Sequence, residues 1–199
     1  GGLIHMTSRI PRPGDGLGES SSFLQRLSSA EKSSISRYEY SAVTDDHAIG
    51  FGFSYRDYGD FTAGGDEGEQ PETGYQEWSG NFSWVQDLGD DFSFEIVAQS
   101  HRQEDVPRTH STIFGSTWEG LTTGSDLQRD LDGERDLLYL RWQKKHGPES
   151  ASRLTVSRQQ IADEEDRVRS SGVRRLQGVT TEALGVSWDW FGYSDLGPL

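Results

Sequence analysis

The chain has 199 residues, of which 32% are hydrophobic and 11% aromatic, and it has no Cys and a formal net charge of −14. The absence of Cys excludes disulfide bonds and thiolate metal sites, and the acidic charge argues against nucleic acid as a partner. It contains no run of about 20 apolar residues, so no transmembrane helix is expected. Low hydrophobicity with high charge also fits disorder, but six Trp argue against it.

Apolar and polar residues alternate with a period of two along most of the chain, which predicts half-buried β-strands. The clearest case places Ile49, Phe51, Phe53 and Tyr55 on one face of residues 49–56. The predicted strand segments are residues 36–42, 49–56, 78–88, 92–99, 135–142, 153–160 and 184–190. We expect about eight strands in all.

The connections between these strands also alternate in length. Short turns are predicted at residues 44–47, 89–91 and 144–150, and long polar loops at residues 58–74, 104–134 and about 162–179. The connection near residues 28–34 is short where a long loop is expected. Short turns at one end and long loops at the other are typical of an outer-membrane barrel. The predicted fold is therefore all-β, an antiparallel meander of about eight strands forming part of a transmembrane outer-membrane β-barrel.

Aromatic residues lie near the predicted strand ends. Tyr55, Tyr58, Tyr75 and Trp78 flank one long loop, and Trp84, Trp142, Trp188 and Trp190 fall toward strand ends. Rings of this kind favour membrane–water interfaces, where the ring is half buried and its polar atom stays hydrated. The alternative is that they are core or cross-strand aromatics of a soluble β protein.

Several segments resemble TonB-dependent receptors of the outer membrane. Residues 1–11, GGLIHMTSRIP, are similar to the end of the plug domain, where a Gly-Gly pair precedes an apolar strand and then Thr, a basic residue and Pro. His5 stands where the family usually has Asn. Residues 104–110, 131–141 and 167–172 resemble segments around a long extracellular loop and its returning strand.

The resemblance implies a domain organisation. Residues 1–12 would be the end of the plug domain and its junction with the barrel, and residues 13–199 an incomplete, N-terminal part of the barrel. Plugged transporters of this type have about 22 strands, so eight strands are roughly a third of the wall. We therefore expect the chain to be a fragment whose TonB-contacting segment and remaining strands lie elsewhere.

The resemblance also implies a function, active uptake of a scarce, bulky nutrient, commonly a ferric siderophore and sometimes a corrinoid or glycan. The protein would reside in the Gram-negative outer membrane, contact lipid and lipopolysaccharide, and receive energy from TonB. It would not be an enzyme and would need no cofactor. The acidic loop at residues 60–72 suggests a hypothesis in which divalent cations bridge its carboxylates to lipopolysaccharide phosphates.

Six residues near the expected outer mouth are candidates for ligand binding, because cations and an aromatic ring suit an anionic or aromatic chelate. They are Arg56, His101, Arg102, Arg108, His110 and Trp118. The alternative for each is a pair with a nearby carboxylate. No catalytic or metal site is predicted. Asp130, Asp132 and Gly133 lack the ligand spacing of a calcium loop, and the two His lack the spacing of a metal pair.

Two alternatives remain open. One is a self-contained eight-stranded barrel with a structural or adhesive role, and the other is a soluble β-sandwich that binds carbohydrate. The direction of the apolar side chains distinguishes a sandwich from a barrel, because a sandwich buries them between two sheets and a barrel turns them outward. The side chains in question are Phe51, Phe53, Phe82, Trp84, Phe94 and Ile96.

Overall fold

A computed structural model describes residues 10–64, 68–115, 124–194 and 197–198. Within these ranges the protein is almost entirely β-structure, and its helical content is a 3₁₀ turn at Thr109–Ser111. The strands are β1 (Gly18–Ser28), β2 (Ser33–Val43), β3 (His47–Tyr58), β4 (Phe61–Thr62), β5 (Glu69–Gln70), β6 (Tyr75–Leu88), β7 (Phe92–Pro107), β8 (Gln128–Gly147), β9 (Ser150–Val168), β10 (Arg174–Phe191), β11 (Tyr193–Ser194) and β12 (Gly197–Pro198). No helix in the described part of the chain is long and apolar enough to cross a membrane.

Eight of these strands form one sheet in the order β1-β2-β3-β6-β7-β8-β9-β10, and every neighbouring pair is antiparallel. The remaining four strands form two small hairpins, β4–β5 and β11–β12. The predicted antiparallel meander of eight strands is therefore confirmed. Strands β1 and β10 are the two edges of the sheet.

The strands lengthen across the sheet, from 11 residues in β1 to 20 in β8, 19 in β9 and 18 in β10. The long loop predicted at residues 162–179 is therefore wrong, because β9 and β10 continue to a tight turn at residues 169–173. The alternation that marks a strand disappears here because both faces carry polar side chains. The backbone ladder nevertheless continues, because each strand still has a neighbour to pair with.

The loop predicted at residues 104–134 is also shorter than expected, since β7 runs to residue 107 and β8 begins at residue 128. A β-bulge between Gln103 and Val106 shifts the register of the β7–β8 pair. Asp105 lies in this bulge with a φ of 55°, and its N–H donates to Asp132 Oδ1 at 2.7 Å. The bulge interrupts the sequence pattern, although the two strands remain paired beyond it.

The sheet has one apolar and one polar face. On the apolar face a single register row joins six strands through Ile49, Trp84, Ile96, Leu140, Val156 and Val186. The usual relation between polarity and burial is inverted for part of the sheet, although Val85 and Val97 on the polar face are also buried. Phe51 and Phe82 on the apolar face are 44% and 36% exposed, whereas Ser54 and Glu95 on the polar face are 1% and 3% exposed.

Aromatic residues mark both ends of the apolar face. Tyr55 and Trp78 are cross-strand partners at the long-loop end of β3 and β6. At the short-turn end, Phe94 lies 5.9 Å from Trp84 and 5.4 Å from Trp142 between ring centroids. On β6 the apolar face runs from Trp78 to Leu88, ten steps of about 3.3 Å, or roughly 33 Å along the strand.

Candidate functional site

The N-terminal segment, residues 10–12, lies across the polar face at the short-turn end of the sheet. A Cβ atom added to Gly50 on β3 would come within 3.1 Å of the Pro11 ring. Arg12 then reaches β7, where its Nη1 donates to Glu95 Oε2 at 2.5 Å. The N–H of Gly14 donates to the carbonyl of Thr44 in a short turn at 2.9 Å. This segment therefore spans several strands without joining the sheet.

Glu95 is the centre of a buried charge network, the Glu95 cluster, formed with Arg12, Tyr139 and Arg141. Tyr139 Oη donates to Glu95 Oε1 at 2.5 Å, and Arg141 Nη1 donates to the same oxygen at 3.2 Å. The Arg141 guanidinium also lies over the Tyr139 ring, 5.0 Å from its centroid. A carboxylate that loses water on burial needs charged or hydrogen-bonding partners, and Glu95 has three.

A second polar cluster lies toward the long-loop end of the same face. Arg56 Nη1 donates to Glu77 Oε1, and Gln103 Nε2 donates to Glu77 Oε2 at 2.9 Å. Glu77 is buried. The predicted ligand residue Arg56 thus lies on the polar face with its charge matched by a carboxylate, as its alternative interpretation expected.

His101 also lies on the polar face, opposite Arg135 in the β7–β8 register. Both side chains line a shallow cleft of about 340 Å³ together with Ser79 and Gln159. The Arg135 side chain is exposed. In this cleft the predicted residue His101 lies near the Arg135 guanidinium and the Gln159 amide. Such groups can bind hydroxyl-bearing or anionic molecules.

Arg102 lies on the apolar face, on the opposite side of the sheet from its neighbour His101. Its Nη2 donates to Asp136 Oδ2 at 3.0 Å and to Glu134 Oε1 at 2.7 Å. The guanidinium also lies 5.5 Å from the Trp78 ring centroid. The structure therefore does not bring Arg102 together with Arg56 and His101.

Arg108 and His110 are exposed in the loop between β7 and β8. The N–H of Arg108 donates to the carbonyl of Arg129 at 2.7 Å, which fixes the start of this loop. On the returning side, Arg167 donates to the buried Asp126 at 2.8 and 3.0 Å. Trp118 lies outside the described residues.

The acidic loop between β3 and β6 uses some of its carboxylates internally. Asp60 Oδ1 accepts the N–H groups of Thr73 at 2.9 Å and Gly74 at 3.1 Å. These bonds, that of Thr73 foremost, hold the pKa of Asp60 below its ordinary value of 3.8. Glu69 pairs with Lys32 at 2.7 Å. Both carboxylates therefore have partners within the protein.

An ion pair between β9 and β10 lies near the turn at residues 169–173, past the end of the apolar face. Arg174 donates to both oxygens of Asp166, the shortest bond being 2.6 Å. This contact lowers the pKa of Asp166 and raises that of Arg174. Across the described ranges, no group of three or more His, Cys, Asp or Glu side chains is arranged to hold a metal ion.

The sequence did not identify the Glu95 cluster as a site. The available signal was a charged residue inside an otherwise apolar strand, Glu95 between Phe94 and Ile96. Arg141 shows the same pattern on β8. Its partner Arg12 is 83 residues away from Glu95, so no local pattern could connect them.

Comparison of the chain with protein-family models, with curated proteins and with solved structures found no match.

Proposed function

We propose that this chain forms part of the wall of an outer-membrane β-barrel of the TonB-dependent receptor type, which takes up a scarce nutrient with a ferric siderophore as the expected ligand class. The observation that carries the proposal is the inverted polarity of the sheet. Large apolar side chains are exposed on one face, and carboxylates and hydroxyls are buried on the other.

Lipid is the solvent that fits the apolar face. Burying a side chain such as Phe, Leu or Val contributes about 1.5–3 kcal/mol, and this face exposes Phe51, Phe82, Leu184, Val186 and Trp188. Contiguous apolar surface of this kind is rare on soluble monomers. At the strand tilt of about 40° usual in barrels, its length of roughly 33 Å along β6 gives a height of roughly 25 Å, close to the apolar band of outer-membrane barrels. The aromatic residues at both of its ends support the same assignment.

The N-terminal segment supports the receptor type. In the family that residues 1–11 resemble, the plug fills the barrel lumen and enters the wall from the periplasmic side. Residues 10–12 here lie on the polar face near the short turns, which is the position such a junction would take. The parts of β8, β9 and β10 nearest the turn at residues 169–173, which are polar on both faces, would then extend beyond the membrane on the outer side.

A matched pair of substitutions on β10 tests the membrane placement. Val186 lies midway between Leu184 and Trp188 on the apolar face of the edge strand β10, Ser187 lies on its polar face, and both are exposed. In phospholipid vesicles, Val186→Arg should reduce folding stability by about 2–4 kcal/mol, while Ser187→Arg should change it by less than about 0.5 kcal/mol. Urea titration followed by tryptophan fluorescence measures both. Equal effects, or a chain that does not float with the vesicles, would favour the soluble sandwich.

The transport function needs a separate test in cells. Disruption of the gene encoding this chain should lower uptake of radioactive iron supplied as a siderophore complex. A proton uncoupler should abolish the difference between the disrupted and intact strains, since TonB-dependent uptake requires energy from the inner membrane. If iron uptake is unchanged while Val186→Arg alone lowers stability in vesicles, the proposed barrel wall would stand and the proposed uptake of ferric siderophores would be wrong.

A further inference from the structure

The polar face contains a cleft of about 270 Å³ between the N-terminal segment and strands β7, β8 and β9. It is lined by Arg12, Ser93, Glu95, Arg141, Gln143 and Arg153. Three guanidinium groups and one carboxylate give this lining a formal charge of +2, in a chain whose net charge is −14. The cleft is therefore a local concentration of positive charge on an acidic protein.

The single carboxylate of the cleft is already occupied. Glu95 accepts hydrogen bonds from Arg12, Arg141 and Tyr139 on its two oxygens. Arg141 and Arg12 each present a planar fork of several N–H donors, and one carboxylate cannot accept them all. Arg141 Nε donates to Thr155 Oγ1 at 3.3 Å, and the other N–H groups of the two partly exposed guanidinium groups are within reach of another acceptor.

Arg153 provides the second, independent observation. Among the described residues, its buried Nε has no hydrogen-bond partner. Its Nη2 donates to Gln143 Oε1 at a long 3.3 Å, and the guanidinium lies 4.8 Å from the Phe191 ring centroid. Asp189 lies opposite Arg153 in register, yet Arg153 forms no ion pair with the described residues. A buried donor without an acceptor is rare in folded proteins, and a bound water or ion is one arrangement that satisfies it.

Neighbouring charges limit what can enter. Aspartates of the two adjacent short turns line a separate acidic cleft that shares Ser93 and Gln143 with this one; they are Asp45, Asp46, Asp87, Asp90 and Asp91. A large polyanion would meet these carboxylates. A small anion would meet three guanidinium groups and the single carboxylate of Glu95. The volume lies just below the usual range of about 300–1,000 Å³ for small-molecule sites.

We propose that this cleft binds a phosphate group, held by Arg12 from the N-terminal segment and by Arg141 and Arg153 from the sheet. Guanidinium forks match the tetrahedral oxygens of phosphate in bidentate geometry. Because the three donors come from separate elements, a bound phosphate ties the N-terminal segment to β8 and β9. This site is independent of whether the apolar face contacts lipid.

Calorimetry on the full chain, folded in a non-ionic detergent that contains no phosphate, tests this site with inorganic phosphate as the probe. Saturable binding is expected at constant ionic strength set with chloride. Arg153→Gln should weaken it at least tenfold, and Glu95→Gln should tighten it, since the formal charge of the cleft then rises from +2 to +3. Arg158→Gln is the matched control, because Arg158 lies on the apolar face and pairs with Glu182.

Two further measurements complete the test. The first identifies the source of the phosphate group, and the second uses the unmodified protein, so that it does not depend on whether a variant folds. Tighter binding of glucose 6-phosphate than of inorganic phosphate would assign a phosphorylated metabolite, and the reverse would assign the free ion. In the unmodified protein, the Arg153 Nε–H resonance should shift on addition of phosphate but not of chloride. An unmoved resonance, or equal affinity in the Arg153 and Arg158 variants, would overturn the proposal.

Discussion

Removal of the Glu95 carboxylate should destabilise the protein far more than removal of an exposed one. The Glu95 side chain is 4% exposed and accepts three hydrogen bonds, two of them from guanidinium groups. Breaking a buried ion pair on one side costs about 3–5 kcal/mol. Arg12 and Arg141 are 46% and 28% exposed, so water can partly solvate them once they lose Glu95.

We therefore expect Glu95→Ala to cost about 3 kcal/mol, the lower end of that range, or roughly a hundredfold in the folding equilibrium. The matched control is Glu182→Ala. Glu182 forms one ion pair with Arg158 at 2.6 Å, but its side chain is 49% exposed, and such surface pairs contribute less than about 1 kcal/mol.

Urea unfolding in non-ionic detergent, followed by tryptophan fluorescence, measures both free energies. A double-mutant cycle with Arg12→Met then isolates the coupling between Arg12 and Glu95. Similar costs for the two glutamate variants would refute the argument that the polar face buries and satisfies its charges.

Three other perturbations have defined outcomes. Gly50→Ala should cost about 1–3 kcal/mol and speed proteolysis of the N-terminal segment, because the new Cβ would lie 2.7 Å from Ser83 Oγ and 3.1 Å from the Pro11 ring. The Asp60 carboxylate stabilises its loop fully above pH 3.8, the ordinary pKa, and this contribution is lost as pH falls through the lowered folded pKa. An NMR titration of the Thr73 amide should therefore show its midpoint below 3.8. Gly172→Ala should lower the urea midpoint, since Gly172 has a φ of 79° that L-residues rarely adopt.

Alternation predicted the strands where the two faces differ in polarity. Residues 49–56, 78–88 and 92–99 all lie within β3, β6 and β7, because an apolar and a polar face leave a visible period of two. The alternation did not predict strand β1, because residues Glu19–Ser22 are polar on both faces. The ends of β9 and β10 were missed for the same reason.

The candidate site was less predictable than the fold. Sequence spacing assigned His101 and Arg102 to one region, but adjacent residues of a strand point to opposite faces, and the register places Arg102 beside Trp78 on the apolar side. The contact between Arg12 and Glu95 depends on where a short segment crosses the sheet. No propensity or period encodes that crossing.

The connectivity of the sheet has a consequence for how the chain folds. Every strand of the meander pairs with the strand that precedes or follows it among the eight, and several connections are only a few residues long. The entropic cost of closing a loop grows with the logarithm of its length, so each hairpin can close at small cost before the next one forms. Such local pairing favours fast, stepwise growth of the sheet from hairpin to hairpin. Until β1 and β10 find partners, each growing edge offers unpaired N–H and C=O groups to any other strand within reach.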